Sequence, residues 1–453
     1  MSPTPHILFV HPWIYDFTAY DFWIKPLGLI SVAAIVEAHT PAQISLIDCL
    51  DRAPSALFKG LRRRTDGRGA YFKQTVDKPE VLRPIPRRFS RYGIPISLFR
   101  ARLKGMPPPD LVMLTCAMTY WYPGVQLAVE LIREQHGGVP IVLGGIYASL
   151  CPGHAERESG ADFVLAGPGE NAVLPLLRDV LGDRMGASKS RYSALQDLPP
   201  PAFHLLSDTY SLALMTSRGC PYDCSYCASR RLFPGWEQSS PEKVVALIKH
   251  LSLHLGTRHI AFYDEALLWN KTRHIHPILS ELIRLKLPVT FHVPNGLHVR
   301  EVDGEIARLL FRARVRSIHL SQESLDSEWL RKTRTRKVIP EDLPDALRNL
   351  ERAGYRRGDI GVYLLAGIPG QTTAGIRDSI RQVLELGARP RLAYFSPVPN
   401  TREWDGMVER GQLSAEADPL LHNKLAAPYV FGTMTHDDFL EIKRLSLQKH
   451  ADS

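Results

Sequence analysis

Twice along this sequence, short apolar runs alternate with segments that have the periodicity of a helix. The first series has five apolar runs, at His6–Val10, Gln43–Asp48, Asp110–Thr115, Pro140–Leu143 and Ala161–Leu165. Its helical segments lie near Leu27–Ala38, Val125–Glu134 and Asn171–Val180. Near-continuous apolar strands separated by helices are typical of a parallel sheet that is covered on both faces. The first series therefore predicts a flavodoxin-like (Rossmann-type) α/β domain.

The second series has six strand-like runs. They lie at Leu212–Thr216, His259–Tyr263, Val289–Val293, Ser317–Ser321, Ile360–Leu365 and Leu392–Phe395. The helical segments between them are Pro241–Leu255, Arg273–Leu285, Gly304–Ala313, Glu341–Ala353 and Ala374–Leu386, and Ser240 is the expected N-cap of the first. Six strand–helix steps are too few for a complete eightfold barrel and predict a partial (β/α)6 TIM-like barrel.

These patterns predict four parts of the chain. Residues 1–185 form the first α/β domain, residues 186–207 a linker that contains Pro199-Pro200-Pro201, residues 208–400 the partial barrel, and residues 401–453 a helical extension. The N-terminus lacks a basic region before its apolar run, and no apolar run approaches the length of a membrane span. We therefore expect no signal peptide, no membrane span and a cytoplasmic location.

The six cysteines fall into two groups. Cys49, Cys116 and Cys151 stand alone in apolar or loop segments, as small buried residues do. Cys220, Cys224 and Cys227 lie within eight residues, directly after the first strand of the second series. An iron–sulfur cubane normally takes four thiolates, so three would leave one iron open to bind a substrate. A structural zinc site is the alternative, but no fourth Cys or His stands at ligand spacing nearby.

Polar or Gly/Pro residues follow the strands of the second series. In strand–helix barrels, chemistry takes place at the carboxyl ends of the strands. The strand-end segments are Tyr263-Asp264-Glu265, Asn295-Gly296, Gln322-Glu323-Ser324, Gly367 to Gln371, and Ser396 to Asn400. We expect these segments to form one rim, with the cysteines beside it.

The pattern Cys-x3-Cys-x2-Cys, with Tyr226 before the third cysteine, resembles the signature of the radical S-adenosylmethionine (SAM) superfamily. The resemblance implies a [4Fe-4S] cluster whose open iron binds the amino and carboxylate groups of SAM. One electron then cleaves the sulfonium and produces a 5′-deoxyadenosyl radical. An external electron donor of the flavodoxin or ferredoxin type is also implied.

The same resemblance suggests which residues contact SAM. Asp264, Glu265, Glu323 and Ser324 are similar to the contacts of its amino, ribose or carboxylate groups, and Tyr226 and Asn295 complete the set. Gly367 begins a Gly-Ile-Pro-Gly-Gln run that resembles the Gly-x-Pro-Gly-Glu turn beside the adenosine, with Gln371 in place of Glu. No residue can be assigned to chemistry on the substrate.

The first domain resembles the cobalamin-binding domain of B12-dependent radical SAM enzymes. The resemblance rests on Gly28, on the Gly144-Gly145 turn, and on Gly169 and Glu170 in Gly-Pro-Gly-Glu, which become the candidate cobalamin contacts. The family motif Asp-x-His-x-x-Gly is absent, and the expected Gly-Glu-Gly-Glu run lacks one acid. His11 is a possible cobalt ligand, but a hydrogen-bonded residue at a strand end is the commoner role for such a histidine.

The segment 52–104 looks like a basic insertion in the first domain. It carries more positive charge than the formal +9 of the whole chain, and aromatic residues such as Phe58, Tyr71 and Phe89 are interleaved with its arginines. Such a segment could bind RNA or a phosphorylated ligand. Its prolines and the lack of any nucleic-acid motif favour an excursion that packs its aromatic residues on its own domain, so we expect no nucleic-acid partner.

The implied function is methylation of an unactivated carbon, with SAM as the source of both the radical and the methyl group. One alternative is a radical cyclisation or rearrangement without cobalamin. An alternative of another class is a non-catalytic iron–sulfur or cobalamin-binding protein. The sequence leaves the substrate open between a small metabolite, a lipid, a peptide and a modified nucleotide.

Overall fold

The computed structural model describes residues 4–52, 64–186, 191–332 and 337–448. The chain divides into two compact units. The first comprises residues 1–212 with 418–420, and the second comprises residues 213–417 with 421–453. Residues 191–207 of the predicted linker belong to the first unit, where the Ala202 N–H donates to the Ile30 carbonyl at 3.0 Å. No helix in the described ranges combines the length and apolarity that a membrane span requires.

The first unit is built on a five-stranded sheet. Its strands are β1 (His6–His11), β2 (Gln43–Asp48), β3 (Leu111–Cys116), β4 (Ile141–Gly145) and β5 (Phe163–Val164). The spatial order is 2-1-3-4-5 and the paired strands are parallel. This is the flavodoxin-like order, so the predicted fold of this part is confirmed. All six residues of β1 are buried, as expected of a central strand in a sheet covered on both faces.

Six helices accompany this sheet in the described part of the unit. They are Leu27–His39, Ile96–Lys104, Tyr122–His136, Ile146–Leu150, Pro152–Glu158 and Val173–Leu181. Three of them overlap the segments predicted from periodicity. The short helices 146–150 and 152–158 were not predicted, because five to seven residues carry too little periodicity to distinguish a helix from a loop.

The described part of the basic insertion packs against its own unit. Residues Lys73–Thr75 and Ser90–Tyr92 form short antiparallel strands with Ile14–Asp16, and Gly69–Ala70 pairs with Tyr20–Asp21. The ring of Phe99 is fully buried against Trp13, at a centroid distance of 4.8 Å. The preferred interpretation therefore holds for residues 64–104, whereas Phe58 lies outside the described residues.

Several basic side chains of this insertion are paired with acids of the same unit. Arg52 lies 3.0 Å from Asp21, and Arg102 lies 2.8 Å from Asp51. Both acids are buried. Much of the charge that stands out in the sequence is thus neutralised locally, because a buried carboxylate is stable only when it is paired or hydrogen-bonded.

The second unit contains the partial barrel. The boundary between the units falls within its first strand, β6 (Ser211–Leu214). The other strands are β7 (His259–Phe262), β8 (Thr290–His292), β9 (Val315–Ser317), β10 (His319–Glu323), β11 (Gly361–Ala366) and β12 (Arg389–Tyr394). One sheet has the order β6-β7-β8-β9, and the other has the order Leu297–His298, β10, β11, β12. The predicted fourth strand is thus split at Ile318, where the pairing passes from one sheet to the other. The α/β barrel class is confirmed.

Helices connect these strands and follow them. They are Ser229–Leu232, Pro241–His254, Ile275–Leu285, Gly304–Arg312, Ser327–Lys332, Asp342–Ala353, Thr373–Glu385, Arg402–Glu409, Ala426–Tyr429 and His436–Ser446. The predicted N-cap is confirmed, since the Ser240 hydroxyl accepts the N–H of Lys243 at 3.3 Å. Asp303 caps the helix that begins at Gly304 in the same way.

Candidate functional site

The three clustered cysteines lie on one loop whose two ends are joined. This cysteine loop, residues 219–236, is closed by an antiparallel ladder between Ser217–Arg218 and Glu237–Gln238. Gly219 has φ +77°, and a Cβ atom there would lie 2.0 Å from the carbonyl oxygen of Gly235. Only glycine fits such a close approach, so the loop begins against the backbone that ends it.

Residues that follow β12 are hydrogen-bonded to the cysteine loop. The guanidinium of Arg402 donates to the Asp223 carboxylate at 2.6 Å and to the Asp223 carbonyl at 2.7 Å. The Ser225 hydroxyl donates to Glu403 at 2.6 Å, and the Glu403 N–H donates back to the Ser225 carbonyl at 3.1 Å. The sequence predicted only a helical extension beyond residue 400, because contacts between distant segments leave no local pattern.

The three thiols are reduced neighbours. None of them forms a disulfide; Cys220 and Cys224 are partly buried and Cys227 is exposed. Burial raises the pKa of Cys224 to about 12 and also raises that of Cys220, and in both cases the charge of Cys227 adds to the effect. A cluster with one open iron needs three thiolates close to one another. Cys227 is close enough to Cys220 and Cys224 for its charge to act on both, so the three thiols fit a [4Fe-4S] cubane.

A single metal ion is a different case. Within the described ranges, no three His, Cys, Asp or Glu side chains converge on a point where one ion could sit. The ligands of a cubane need no such point, since each thiolate binds its own iron.

Asp264 fixes the base of the cysteine loop. Its Oδ1 accepts hydrogen bonds from the backbone N–H and the hydroxyl of both Thr216 and Ser217, at 2.6 to 3.0 Å. Its Oδ2 is buried and has no hydrogen-bond partner among the described residues. Asp264 therefore positions the loop through one oxygen and has the other available for a ligand.

Glu265, the next residue, lies beside the first cysteine. Its carboxylate contacts the Gly219 N–H and the Ser229 side chain, and its charge raises the pKa of Cys220. Burial raises the pKa of Glu265 itself. Like Asp264, it has a buried oxygen, Oε2, that lacks a partner within the described part of the chain.

Glu323 forms a buried ion pair next to the second cysteine. Its backbone has φ +68° at the end of β10, and its Oε1 lies 2.7 Å from the Nζ of Lys337. The side chains of Glu323 and Lys337 are 5% and 14% exposed. Burial disfavours the ammonium, but Glu323 holds the pKa of Lys337 above its ordinary value. Burial, together with Glu323 and Cys224, raises the pKa of Tyr226.

Three residues of this region, Tyr222, His298 and Lys337, were not predicted from the sequence. Lys337 lies near both Cys220 and Cys224, and its charge opposes the rise in their pKa values. The ring of Tyr222 packs edge-on against buried His298 at 4.7 Å. Burial, aided by Lys337, lowers the pKa of His298 well below its ordinary value, so this imidazole is neutral. Lys337 and His298 belong to no motif, and Tyr222 occupies a position that the cysteine motif leaves unspecified, so only the contacts in the folded chain relate the three to the site.

The remaining predicted SAM contacts lie on the same rim but serve the backbone. The Asn295 amide donates to the carbonyls of Tyr263 at 2.8 Å and Asp264 at 3.5 Å, and thereby joins two strand ends. The Ser324 hydroxyl accepts the N–H of Asp326 at 3.1 Å. Gly367 follows β11 with φ +86°.

Gln371, which replaces the glutamate of the family pattern, makes two hydrogen bonds that account for the amide. Its Oε1 accepts the N–H of Ile368 at 3.1 Å, and its Nε2 donates to the carbonyl of Leu365 at 3.2 Å. A glutamate could make the first bond but not the second, because an ionised carboxylate has no proton to donate. The amide therefore holds the Gly-Ile-Pro-Gly turn at both ends.

The carboxylate oxygens at the carboxyl ends of the barrel strands are acceptors that suit the donor groups of SAM. Asp264 Oδ2, Glu265 Oε2 and Glu323 Oε2 are buried carboxylate oxygens without a hydrogen-bond partner in the described ranges. Buried polar atoms are nearly always paired in folded proteins, so such a group signals a missing donor. SAM brings an ammonium, a sulfonium and two ribose hydroxyls, all of which suit carboxylates.

One histidine behind the rim predicts an acid-sensitive fold. His274 is buried, and its Nε2–H donates to the Thr216 hydroxyl at 2.8 Å, which in turn donates to Asp264. Burial lowers the pKa of His274 to about 4. Since an unfolded histidine titrates near 6.5, the unfolded chain binds this proton first, and stability falls on acidification through that window.

We expect this histidine to contribute about 3 kcal/mol of destabilisation between pH 7 and pH 4. In His274→Gln the amide can still donate to Thr216 but does not titrate. The stability advantage of the wild type over the variant, measured by denaturant titration at each pH, should therefore shrink by that amount. A difference that stays constant over this range would contradict a neutral buried His274.

Glycines leave bare backbone in the first unit at the end of β4 (Gly144), after β5 (Gly167) and in the first turn of the helix Leu27–His39 (Gly28). A Cβ atom at Gly28 or Gly167 would meet no atom within 4 Å, and one at Gly144 would meet only the Leu165 carbonyl at 3.9 Å. The Gly167 N–H donates to the Ser149 hydroxyl at 2.9 Å. In open α/β sheets, ligands bind at the carboxyl ends of the strands, so this edge fits a large cofactor such as cobalamin.

Two residues considered for the cobalamin site, Gly169 and His11, already have close neighbours in the first unit. A Cβ atom at Gly169 would lie 3.1 Å from a methyl group of Val32, and Glu170 follows it in the same turn. His11 is 3% exposed, and its Nδ1 lies 2.8 Å from an oxygen of Asp48. That partner gives His11 the role of a hydrogen-bonded strand-end residue.

Gly145 is expected to be essential to this turn. Its φ is +90°, and an added Cβ would lie 2.6 Å from Thr115 Oγ1 and 2.8 Å from the Cys116 carbonyl. Gly145→Ala should therefore destabilise the first unit by about 2–5 kcal/mol. Gly138→Ala, where no atom lies within 4 Å, is the matched control and should change stability by about 0.5 kcal/mol or less. Denaturant unfolding of the two variants checks this, and equal effects would refute it.

Comparisons with known proteins match both units. The family model described as the Radical SAM superfamily matches residues 214–383, and that of the B12 binding domain matches residues 101–177. The first match spans the cysteine loop and most of the rim, and the second spans β3 to β5.

Relatives and solved structures were also found. An uncharacterized methyltransferase of Pyrococcus horikoshii is 23% identical over 67% of this chain and 71% of its own. The cobalamin-dependent radical SAM methyltransferase TokK of Streptomyces tokunonensis is 26% identical over 64% of this chain and 47% of its own. The structure of the radical SAM methyltransferase TsrM of Kitasatospora setae has a TM-score of 0.65 at 17% identity and covers 89% of this chain and 76% of TsrM, which supports the fold.

Proposed function

Because this chain belongs to the radical SAM superfamily and carries a B12-binding domain, we propose that it methylates an unactivated carbon of its substrate. The resemblance inferred from the sequence is confirmed by both family matches. When bound, the [4Fe-4S] cluster supplies the electron that cleaves SAM, and cobalamin supplies a carrier for the methyl group.

The observation that carries the proposal is the meeting of donors and acceptors at one rim. Cys220, Cys224 and Cys227 would hold the cluster, and the ladder and Arg402 keep their loop in place. The unpaired oxygens of Asp264, Glu265 and Glu323 would bind the amino and ribose groups of SAM.

The other predicted contacts have supporting roles in this proposal. Tyr226 lies between Glu323 and Cys224, and Asn295 and Gly367 shape the rim where the adenosine would lie. Ser324 stabilises the turn after Glu323. Gly28, Gly144, Gly145, Gly169 and Glu170 would line the cobalamin site.

The methyltransferases among the relatives support methylation, whereas an anaerobic magnesium-protoporphyrin IX monomethyl ester cyclase of Cereibacter sphaeroides, 24% identical over 47% of this chain, keeps cyclisation as the alternative. The names of TokK and TsrM include methyltransferase, and that of TokK includes cobalamin dependence. The match covers 47% of TokK, so the activity is proposed here from the site as well as from the likeness. The cyclisation and the non-catalytic alternatives gain no comparable support from the rim.

The test is anaerobic reconstitution with iron, sulfide and cobalamin, followed by reduction in the presence of SAM that carries a deuterated methyl group. We expect both 5′-deoxyadenosine and S-adenosylhomocysteine, and a product heavier by one labelled methyl group for every two SAM molecules consumed. Formation of 5′-deoxyadenosine without S-adenosylhomocysteine would favour a cyclisation or rearrangement. Failure of the loaded protein to form either compound would favour the non-catalytic alternative.

We also propose an electron donor and a cellular location for the protein. An external one-electron donor of the flavodoxin or ferredoxin type would reduce the cluster. A cytoplasmic location would suit the six free thiols, since that compartment keeps cysteines reduced.

A further inference from the structure

A small cleft opens at the end of the barrel opposite the rim. It has a volume of about 150 Å³ and lies where β8 and β9 begin, beside the last turns of the helices Ile275–Leu285 and Gly304–Arg312. The candidate SAM contacts lie at the other, carboxyl ends of the strands. In strand–helix barrels the amino-terminal face ordinarily serves stability rather than chemistry. The cleft is therefore separate from the proposed catalytic site.

The wall of this cleft is mostly apolar. Six of its nine lining residues are apolar, and Leu282, Val289 and Phe291 among them are buried. A cavity of about 150 Å³ is large enough to hold a benzene ring. The cleft thus has room for one apolar group of about that size.

The other three lining residues are all cationic. They are Lys286, Arg312 and Arg314, and each of them is exposed. In the part of the chain that the structure describes, none of the three forms an ion pair or a side-chain hydrogen bond. Arg284 differs from them, because it lies 2.6 Å from Glu281. None of the nine lining residues is acidic, so the cleft presents positive charge without a matching carboxylate.

Two helix ends reduce this positive charge but do not cancel it. Lys286 directly follows the helix Ile275–Leu285, and Arg312 is the last residue of the helix Gly304–Arg312. The C-terminal end of a helix carries a partial charge of about −0.5. Two such ends would be balanced by about one cation. The cleft therefore keeps an excess of positive charge that an anion would neutralise.

Two of the three cations occupy backbone positions that favour glycine. Lys286 has φ +50° and Arg314 has φ +65°, and both values lie in the left-handed region. A residue that follows a helix often adopts this conformation, and glycine is the usual choice because it has no Cβ atom. The backbone alone would be better served by glycine at both positions. This points to a use for the two cationic side chains.

We propose that this cleft binds a small organic anion, a carboxylate whose apolar part is about the size of a phenyl ring. The ring would lie against Val289 and Phe291, and the carboxylate would lie among the three cations at the mouth. Charge complementarity would select the anion over neutral and cationic analogues. The inference goes beyond the proposed function and does not depend on it, because no residue of the rim takes part.

The test measures the binding of four probes to the full-length reconstituted protein by equilibrium dialysis. Phenylpropionate, phenylpropionamide and phenylpropylamine differ mainly in the charge of their ends, and propionate lacks the ring. We expect phenylpropionate to bind about tenfold or more tightly than each of the other three. Binding of the amide or of propionate as tight as that of phenylpropionate would overturn the inference.

Two substitutions test whether the anion binds in this cleft. Lys286→Gln and Arg314→Gln should each weaken phenylpropionate about threefold, and the double variant about tenfold, while binding of the amide stays unchanged. Arg308→Gln is the matched control, because Arg308 is exposed one turn before Arg312 on the same helix and does not line the cleft. It should bind phenylpropionate like the wild type. An anion preference that survives the double variant, or one that Arg308→Gln abolishes, would overturn the site.

Unfolding by denaturant gives a second measurement on the same proteins. A ligand that binds only the folded state stabilises it. Saturating phenylpropionate should therefore raise the midpoint of unfolding of the wild type and of Arg308→Gln, and raise it less in the double variant. An equal rise in all three proteins would place the ligand elsewhere and overturn the site.

An acidic segment of a partner protein is the other occupant to test. The peptide Glu-Phe-Glu, blocked at both ends, presents a ring between two carboxylates. Binding of this peptide without binding of phenylpropionate would assign the cleft to a protein contact and overturn the small-anion site.

SAM cleavage measured on the same samples separates this inference from the proposed function. Selective anion binding by a loaded protein that does not cleave SAM would support the cleft and refute only the proposed enzyme. Cleavage of SAM without any anion preference would overturn the cleft alone.

Discussion

Replacing Cys224 by alanine is expected to reduce iron content and SAM cleavage to background while the protein stays folded. Two remaining thiolates would leave a cubane with too few protein ligands to be retained. The fold should persist because the loop is held by the Ser217–Arg218 ladder and by Arg402 and Glu403, none of which involves iron. We expect the free energy of unfolding of the iron-free protein to change by about 1 kcal/mol.

Cys151→Ala is the matched control for this experiment. Cys151 is also partly buried, but it lies in the first unit, between two short helices. That variant should keep its iron and its visible absorbance after reconstitution. A Cys224→Ala protein that retains the absorbance and cleaves SAM would show that the three-thiolate site is wrong.

Replacing Lys337 by methionine is expected to destabilise the second unit by about 3–5 kcal/mol. The substitution leaves the Glu323 carboxylate buried and uncompensated beside Cys224. Breaking one side of a buried ion pair has this effect because the remaining charge keeps its desolvation penalty without the attraction that offset it. Denaturant unfolding under anaerobic conditions measures the change.

A double variant distinguishes loss of charge balance from loss of packing. Lys337→Met combined with Glu323→Gln removes both charges and should recover more than half of the lost stability. Lys249→Met, on the exposed face of the helix Pro241–His254, serves as the control and should change stability by about 0.5 kcal/mol or less. A single Lys337 variant as stable as the wild type would show that the pair is not needed.

Long elements with strong periodicity were predictable from the sequence. The predicted helix Pro241–Leu255 differs from the observed Pro241–His254 by one residue. The agreement is close because the N-cap, the proline and the apolar spacing all indicate the same helix. The strand Gln43–Asp48 matches in full. Parallel strands need a helical crossover between them, so the alternation also indicated the sheet topology.

Short elements were not predictable in the same way. Strands of two or three residues, such as Lys73–Thr75 and Ser90–Tyr92, have no detectable alternation. They form only because the chain brings Ser90–Tyr92 between Ile14–Asp16 and Lys73–Thr75. The break at Ile318 was also missed. It depends on which sheet each half-strand joins, and this information is not local.

The candidate site shows the same division. The cysteines and Asp264, Glu265 and Glu323 could be proposed from the sequence because motifs and strand ends mark them. Lys337 was missed, since a single lysine in the sequence gives no sign of burial.

The close approach of Gly219 to Gly235 has a consequence for the order of events when the enzyme is made. The contacts that close and brace this loop are all made by the polypeptide itself. We therefore expect cluster insertion to follow folding, so that cells starved of iron would accumulate a folded precursor that becomes active once iron and sulfide return.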